Sequence, residues 1–246
     1  MNSKPLSHAA SPVNNAVRRT AAALALGFAA TVFGAAAAHA APIDSLVKGV
    51  KFDDDKGVQK ALANGMDPNA TDDQGMPLLV LAAREKSDKV AAVLLDDPKT
   101  NIAAEDRAGE NALMLASLNG DLDLVKLLIT KGAEVNKKGW TPLHYAAANG
   151  NDDVAKLLIG YSADVNALSP NGTTPLMMAA RGDHLTTLQV LLEHGATLGA
   201  KNQIGMTALD FARQYKAPDA IKDLTARMTQ AGLPTTSTAV PQNSAK

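Results

Sequence analysis

The residues able to do chemistry are few. The chain carries five histidines and no cysteine. Two of the histidines, His8 and His39, fall in an N-terminal stretch of separate composition; the others are His144, His184 and His194. A metal site needs three or four ligands at characteristic short spacings, and these spacings match none. Carboxylates come closer together, as Asp53-Asp54-Asp55, Asp72-Asp73, Asp96-Asp97 and Asp152-Asp153. Such pairs could divide acid and base roles. The same residues also open helices and turn loops, because their oxygens accept from nearby backbone N–H groups. No glycine-rich phosphate loop follows a strand, and no serine-nucleophile motif is present. Without cysteine there is no disulfide, thiolate nucleophile or lipid-modified N-terminal cysteine. The residues therefore give no catalytic set, no metal site and no cofactor.

What must position the remaining side chains is a repeat. Five glycines mark its register: Gly75, Gly109, Gly139, Gly172 and Gly205. Three residues after each stand Leu78, Ala112, Pro142, Pro175 and Ala208, and the next residue is always leucine. Seven residues after each glycine is an alanine: Ala82, Ala116, Ala146, Ala179 and Ala212. A glycine at such a point suits a turn of positive φ, proline suits the first position of a helix, and a preceding threonine suits its cap. Downstream, Asp123-Leu124-Val125-Lys126-Leu127-Leu128 and Asp153-Val154-Ala155-Lys156-Leu157-Leu158 space apolar residues as one helical face does. Each unit reads as turn, short helix, second helix and loop.

These residues resemble the ankyrin repeat, whose signature is a T-P-L-H-x-A pattern recurring at 33 residues. Thr141-Pro142-Leu143-His144 matches fully; Thr174-Pro175-Leu176 and Thr207-Ala208-Leu209 match in part. The resemblance implies an all-α solenoid of stacked antiparallel helix pairs with projecting loops. It places units at about residues 43–69, 70–103, 104–136, 137–166, 167–200 and 201–228, within a domain spanning 41–228. The first and last are expected to be atypical caps. Residues 229–246 are rich in Pro, Ser and Thr and are expected to be a disordered tail.

Residues 1–40 contain Lys4, Arg18 and Arg19 and no acidic residue. An apolar run and Ala38-His39-Ala40 follow, the pattern of an export signal cleaved at about Ala40/Ala41. Export would leave the protein in the periplasm or secreted, by the general or the twin-arginine route. Without those three cations the net charge moves from −1 to −4, which favours neither nucleic acid nor an anionic membrane.

The frame is fixed while two rows vary. One follows each glycine: Met76, Glu110, Trp140, Thr173 and Met206. The other follows the alanine pairs: Arg84, Leu118, Ala148, Arg181 and Gln214. The resemblance places both rows on a concave groove that holds a partner protein, with the chain itself a monomer and no enzyme. Alternatives are a secreted effector or toxin-immunity protein acting by binding, and an enzyme with an unrecognised site in the groove. The unit holding Trp140 is three residues short, and the missing residues fall in Asn136-Lys137-Lys138-Gly139. This leaves a notch among the loops with Lys137 and Lys138 beside Trp140. The indole there either anchors a partner together with Lys138, or packs on the neighbouring loop to fill the notch.

Overall fold

The computed structural model describes residues 43–236. The leader, its cleavage point and residues 237–246 lie outside the described residues. The chain divides into two compact units, Met1–Ser45 and Leu46–Lys246. Only residues 43–45 of the first are described.

Helices come in pairs. α1 covers residues 43–51 and α2 Asp55–Ala63; then come α3 Leu78–Glu85 with α4 Asp88–Asp96, and α5 Ala112–Asn119 with α6 Leu122–Thr130. α7 Pro142–Ala148 pairs with α8 Asp152–Gly160, α9 Pro175–Arg181 with α10 Leu185–Glu193, and α11 Ala208–Gln214 with α12 Pro218–Gln230. The described residues hold no sheet, only isolated bridges at Thr71–Pro77 and Glu105–Asn111. α3, α5, α7, α9 and α11 pack in succession as an inner layer, and α2, α4, α6, α8, α10 and α12 as an outer one. The fold is the expected all-α repeat solenoid. No helix among the described residues is long and apolar enough to cross a membrane.

The inner layer is built on small side chains. Ala82, Ala83, Ala116, Ser117, Ala146, Ala147, Ala179, Ala180 and Ala212 are at most 1% exposed. Small residues at mid-helix let neighbouring backbones approach, while Leu79, Leu113, Leu143, Leu176 and Leu209 fill the space beneath. The outer helices contribute pairs such as Leu94 with Val90 and Leu128 with Val125, each at helical spacing and each 0% exposed.

The helix starts follow their sequence. Thr141, Thr174 and Thr207 cap α7, α9 and α11, each accepting from the backbone N–H three residues on. Asn111 does the same for α5. Such a cap is worth about 1 kcal/mol. Gly172 shows why the register glycine is needed. Its φ is +77°, and a Cβ there would sit 3.1 Å from the Gln203 backbone nitrogen. Strain and a backbone clash therefore act together.

Successive units are also joined by polar clips. Asn119 donates to the Ala83 and Arg84 carbonyls, Asn149 and Asn151 to that of Leu118, and His184 meets that of Ala148. These carbonyls close the inner helices and would otherwise lack partners. Toward both ends of the stack a left-handed aspartate adds a clip of the opposite sense, accepting from a helix N-terminus. Asp53 accepts from Val90 N–H in α4, and Asp183 from Ala220 N–H in α12.

The end of the domain needs correction. α12 continues to Gln230, past the expected boundary at 228. Leu233 packs on the core, its N–H donates to the Met228 carbonyl, and Arg213 donates to the Thr235 carbonyl. Residues 229–236 are thus part of the final cap and not a tail, because a half-buried leucine covers apolar surface that no further unit covers. A chain ending at Thr236 should melt with the full one. A chain ending at Ala231 loses Leu233, a change of about 1–2 kcal/mol that should lower Tm by a few degrees in a calorimetric scan.

Candidate functional site

The varying rows are not equally open. Met76 and Thr173 are buried, at 8% and 1% exposure, which removes both from any accessible row. The cause is the loop before them. Asp72 Oδ1 accepts from Met76 N–H, and Ser169 Oγ from Thr173 N–H, while the Asp72 and Ser169 N–H groups donate back to the Met76 and Thr173 carbonyls. Each projecting loop folds inward over the residue after its glycine. Glu110 and Met206 have the same bonds but stay partly exposed. The second row is open: Arg84, Arg181 and Gln214 are exposed, and Leu118 and Ala148 partly so.

The loop of the short unit lacks this hairpin. Asn136 keeps a different duty, accepting from Asp164 N–H and donating to the Ser162 carbonyl of the next loop. Asn136 stands three residues before Gly139, the spacing of Asp72, Asp106, Ser169 and Asn202 in the other hairpins, but it is spent on the next loop, and among the described residues no side chain accepts from the Trp140 N–H. Lys137 spans the gap instead, pairing with Glu105 at 3.2 Å and donating to the Gly109 carbonyl. It is therefore not a free cation beside Trp140, as expected from sequence. Lys138 is exposed. Trp140 is partly exposed and sets its ring edge-on to His144 in its own unit, 5.2 Å between centroids at 76°.

That placement makes a pocket of about 290 Å³ on the face of the inner layer. Trp140, His144, Tyr145 and Ala148 supply its centre from one unit; Leu118 lies on one side, Met178 and Arg181 on the other. The structure thus gathers Leu118, Trp140, Ala148 and Arg181 from the two varying rows. It leaves Arg84, Glu110, Lys138, Met206 and Gln214 outside the lining. Sequence reasoning missed Tyr145 and Met178. Both lie six residues after a register glycine, one helical turn before the second row and so on the same face. The signal was available, because that row reads Leu81, Leu115, Tyr145, Met178, Phe211.

The polar groups in the pocket wall are mostly committed. Tyr145 donates to Glu110 at 2.7 Å, and burial, more than that bond, pushes its hydroxyl well above the usual tyrosine range. His144 is 0% exposed. Its Nε2 faces the Thr173 carbonyl at 2.9 Å and must donate, so Nδ1 accepts from Thr141 N–H. Burial lowers its pKa to about 4, against the opposing pull of the Thr173 carbonyl. It fixes the turn, as expected from its motif. Among the described residues, no three His, Cys, Asp or Glu side chains converge to hold a metal.

The acidic pairs serve structure. Asp54 caps α2 by accepting from Gly57 N–H, and Asp97 accepts from Lys99 N–H after α4. Asp152 and Asp153 lie in the first turn of α8. One carboxyl outside those pairs is shifted: Asp88, raised to about 6 by partial burial and then by Asp121. It begins α4 and has no place in the pocket lining.

A family model described as ankyrin repeats in three copies matches residues 46–138, 97–169 and 143–231. The chain belongs to the ankyrin-repeat family. It is 30% identical over 184 residues to the ankyrin repeat protein YahD of Escherichia coli (strain K12), covering 70% of this chain and 90% of that one. An ankyrin repeat-containing protein of Treponema pallidum (strain Nichols) is 32% identical over 148 residues, or 60% of this chain. The tyrosine-protein kinase HTK16 of Hydra vulgaris is 34% identical over 145 residues. The chain spans only 39% of the Treponema protein and 19% of the kinase. Ankyrin repeats are a protein–protein interaction module, and the pocket lies on the face their inner helices present.

The state of His144 gives a pH dependence. An unfolded histidine takes a proton near pH 6.5, while the buried one takes it only near 4. Its folded pKa is depressed, so the stability it supports is full above pH 6.5 and falls as pH drops toward 4. The slope is about 1.4 kcal/mol per pH unit. Urea unfolding at pH 7, 5.5 and 4.5 should show this fall in wild type and a flatter profile in His144→Gln.

Proposed function

We propose that this ankyrin-repeat protein is exported and then holds another protein against its inner-helix face, without catalysing a reaction. One observation carries the binding reading. Four of the residues that change from unit to unit in an otherwise repeated frame, Leu118, Trp140, Ala148 and Arg181, meet at one aromatic and aliphatic pocket. An exposed pocket of this kind invites an apolar side chain from a partner. Export is supported by the leader alone: a cationic start, an apolar run and a small-x-small site before Ala41.

The two parts separate experimentally. N-terminal sequencing of protein recovered from periplasm or medium should begin at Ala41; product in the membrane fraction retaining residues 1–40 would contradict export. Affinity capture with the processed protein should retain a partner that Leu118→Asp and Trp140→Ala release. Both variants should melt within a few degrees of wild type, since each site is partly exposed. Trp140 is the only tryptophan, so its fluorescence should shift when the captured partner is added back. Equal retention by all three proteins would move the interface elsewhere.

A further inference from the structure

We infer that the pocket takes a peptide segment of the partner that inserts one large apolar side chain and sets a neighbouring carboxylate on Arg181. This rests on the reading that the groove holds a protein. The walls specify the first half. Leu118, Ala148 and Met178 offer only hydrocarbon and thioether, and methionine adapts its shape to varied occupants. About 290 Å³ is near the lower limit of ligand pockets, suited to an anchoring side chain and not to a large cofactor.

The rim specifies the second half by what it leaves unmatched. Two nearby cations have acidic partners, Arg84 with Glu85 and Lys137 with Glu105, both at 3.2 Å, while Lys138, outside the pocket lining, has none among the described residues. Arg181 makes no ion pair among the described residues. Its guanidinium instead lies 4.7 Å over the Tyr215 ring, which holds the side chain in place without satisfying its N–H groups. The Trp140 indole N–H also has no hydrogen-bond partner among the described residues. Tyr145 O–H is spent on Glu110, and both ring nitrogens of His144 are engaged, Nδ1 by Thr141 in its own turn and Nε2 by the Thr173 carbonyl of the next unit. The pocket therefore offers donors in excess, one of them charged. An occupant that only accepts, and is negative, matches this set; a carboxylate does so with two oxygens on one guanidinium.

Short random peptides displayed on phage and selected on the full protein test the inference. Recovered sequences should combine a large apolar residue with Asp or Glu one or two positions away. Selection on Arg181→Gln should keep the apolar residue and lose the acid. A synthetic peptide from the wild-type selection should bind Arg181→Gln on the order of threefold to tenfold more weakly, and that difference should shrink in high salt. It should quench or shift Trp140 emission, and Leu118→Asp should abolish binding. Trp140-dependent sequences without an acid, or acid enrichment that survives Arg181→Gln, would overturn the carboxylate inference and leave protein binding standing. Failure to recover any sequence released by Leu118→Asp would overturn both. A dimer in sedimentation that Leu118→Asp disperses would place a second copy of the chain in the pocket and likewise overturn the inference.

Discussion

The distance between successive inner helices is set by pairs of small side chains at their centres. Ala146 and Ala147, like Ala179 and Ala180, are sealed between neighbours. Any larger residue there would separate the units and open the leucine layer beneath. One unit cannot bury its own apolar face, so this spacing is what makes a core at all. The stack then needs an end, and the last unit provides it with the long α12 and Leu233 folded over the final surface.

Close approach exposes a second requirement. Bringing helix ends together takes their free carbonyls out of water, and each must then find a donor. The asparagines and His184 on the following unit provide them, which couples polar satisfaction to stacking. Where the turn between helices must be left-handed, Gly120 and Gly150 accept that shape freely in the middle of the stack. Asp53 and Asp183 accept it at a cost, offset by bonds to the N-termini of α4 and α12. Lys86 and Lys216 take the same left-handed shape at the turns of the second and last units, so non-glycine strain at the turns between paired helices lies outside the two central units.

Fold and register were legible because they rest on local rules repeated five times. Glycine for positive φ, threonine for a cap and alanine for close approach each need only their own unit. Two things were not legible. The burial of Met76 and Thr173 depends on loops folding back over them, and the two rows read alike in sequence. Leu233 lies in a stretch whose composition looks disordered, and only the bare end of α12 gives a single leucine something to cover. The pocket was half legible. Leu118, Trp140 and Arg181 follow from the varying rows, but Tyr145 and Met178 were hidden by their similarity to core positions in other units.

The short loop and the pocket belong to the same unit, and the first explains the second. In the full-length loops an Asp, Ser or Asn three residues before the glycine bonds the residue after it, fixing that residue's backbone and drawing some of its side chains under the loop. In the Trp140 unit, three residues shorter, the residue at that spacing is Asn136, which is spent on the next loop, so among the described residues the bond to the residue after the glycine is missing there. The indole is then held by His144, which the turn already locks, and it leans over the inner helix instead of beneath a loop. The rest of the frame tolerates the loss because the inter-unit duty of the loop rests on Asn136, which remains, and on Lys137, which reaches the preceding loop. A deletion in the least constrained part of a repeat thus gives one unit a different binding surface without disturbing the stack that supports it.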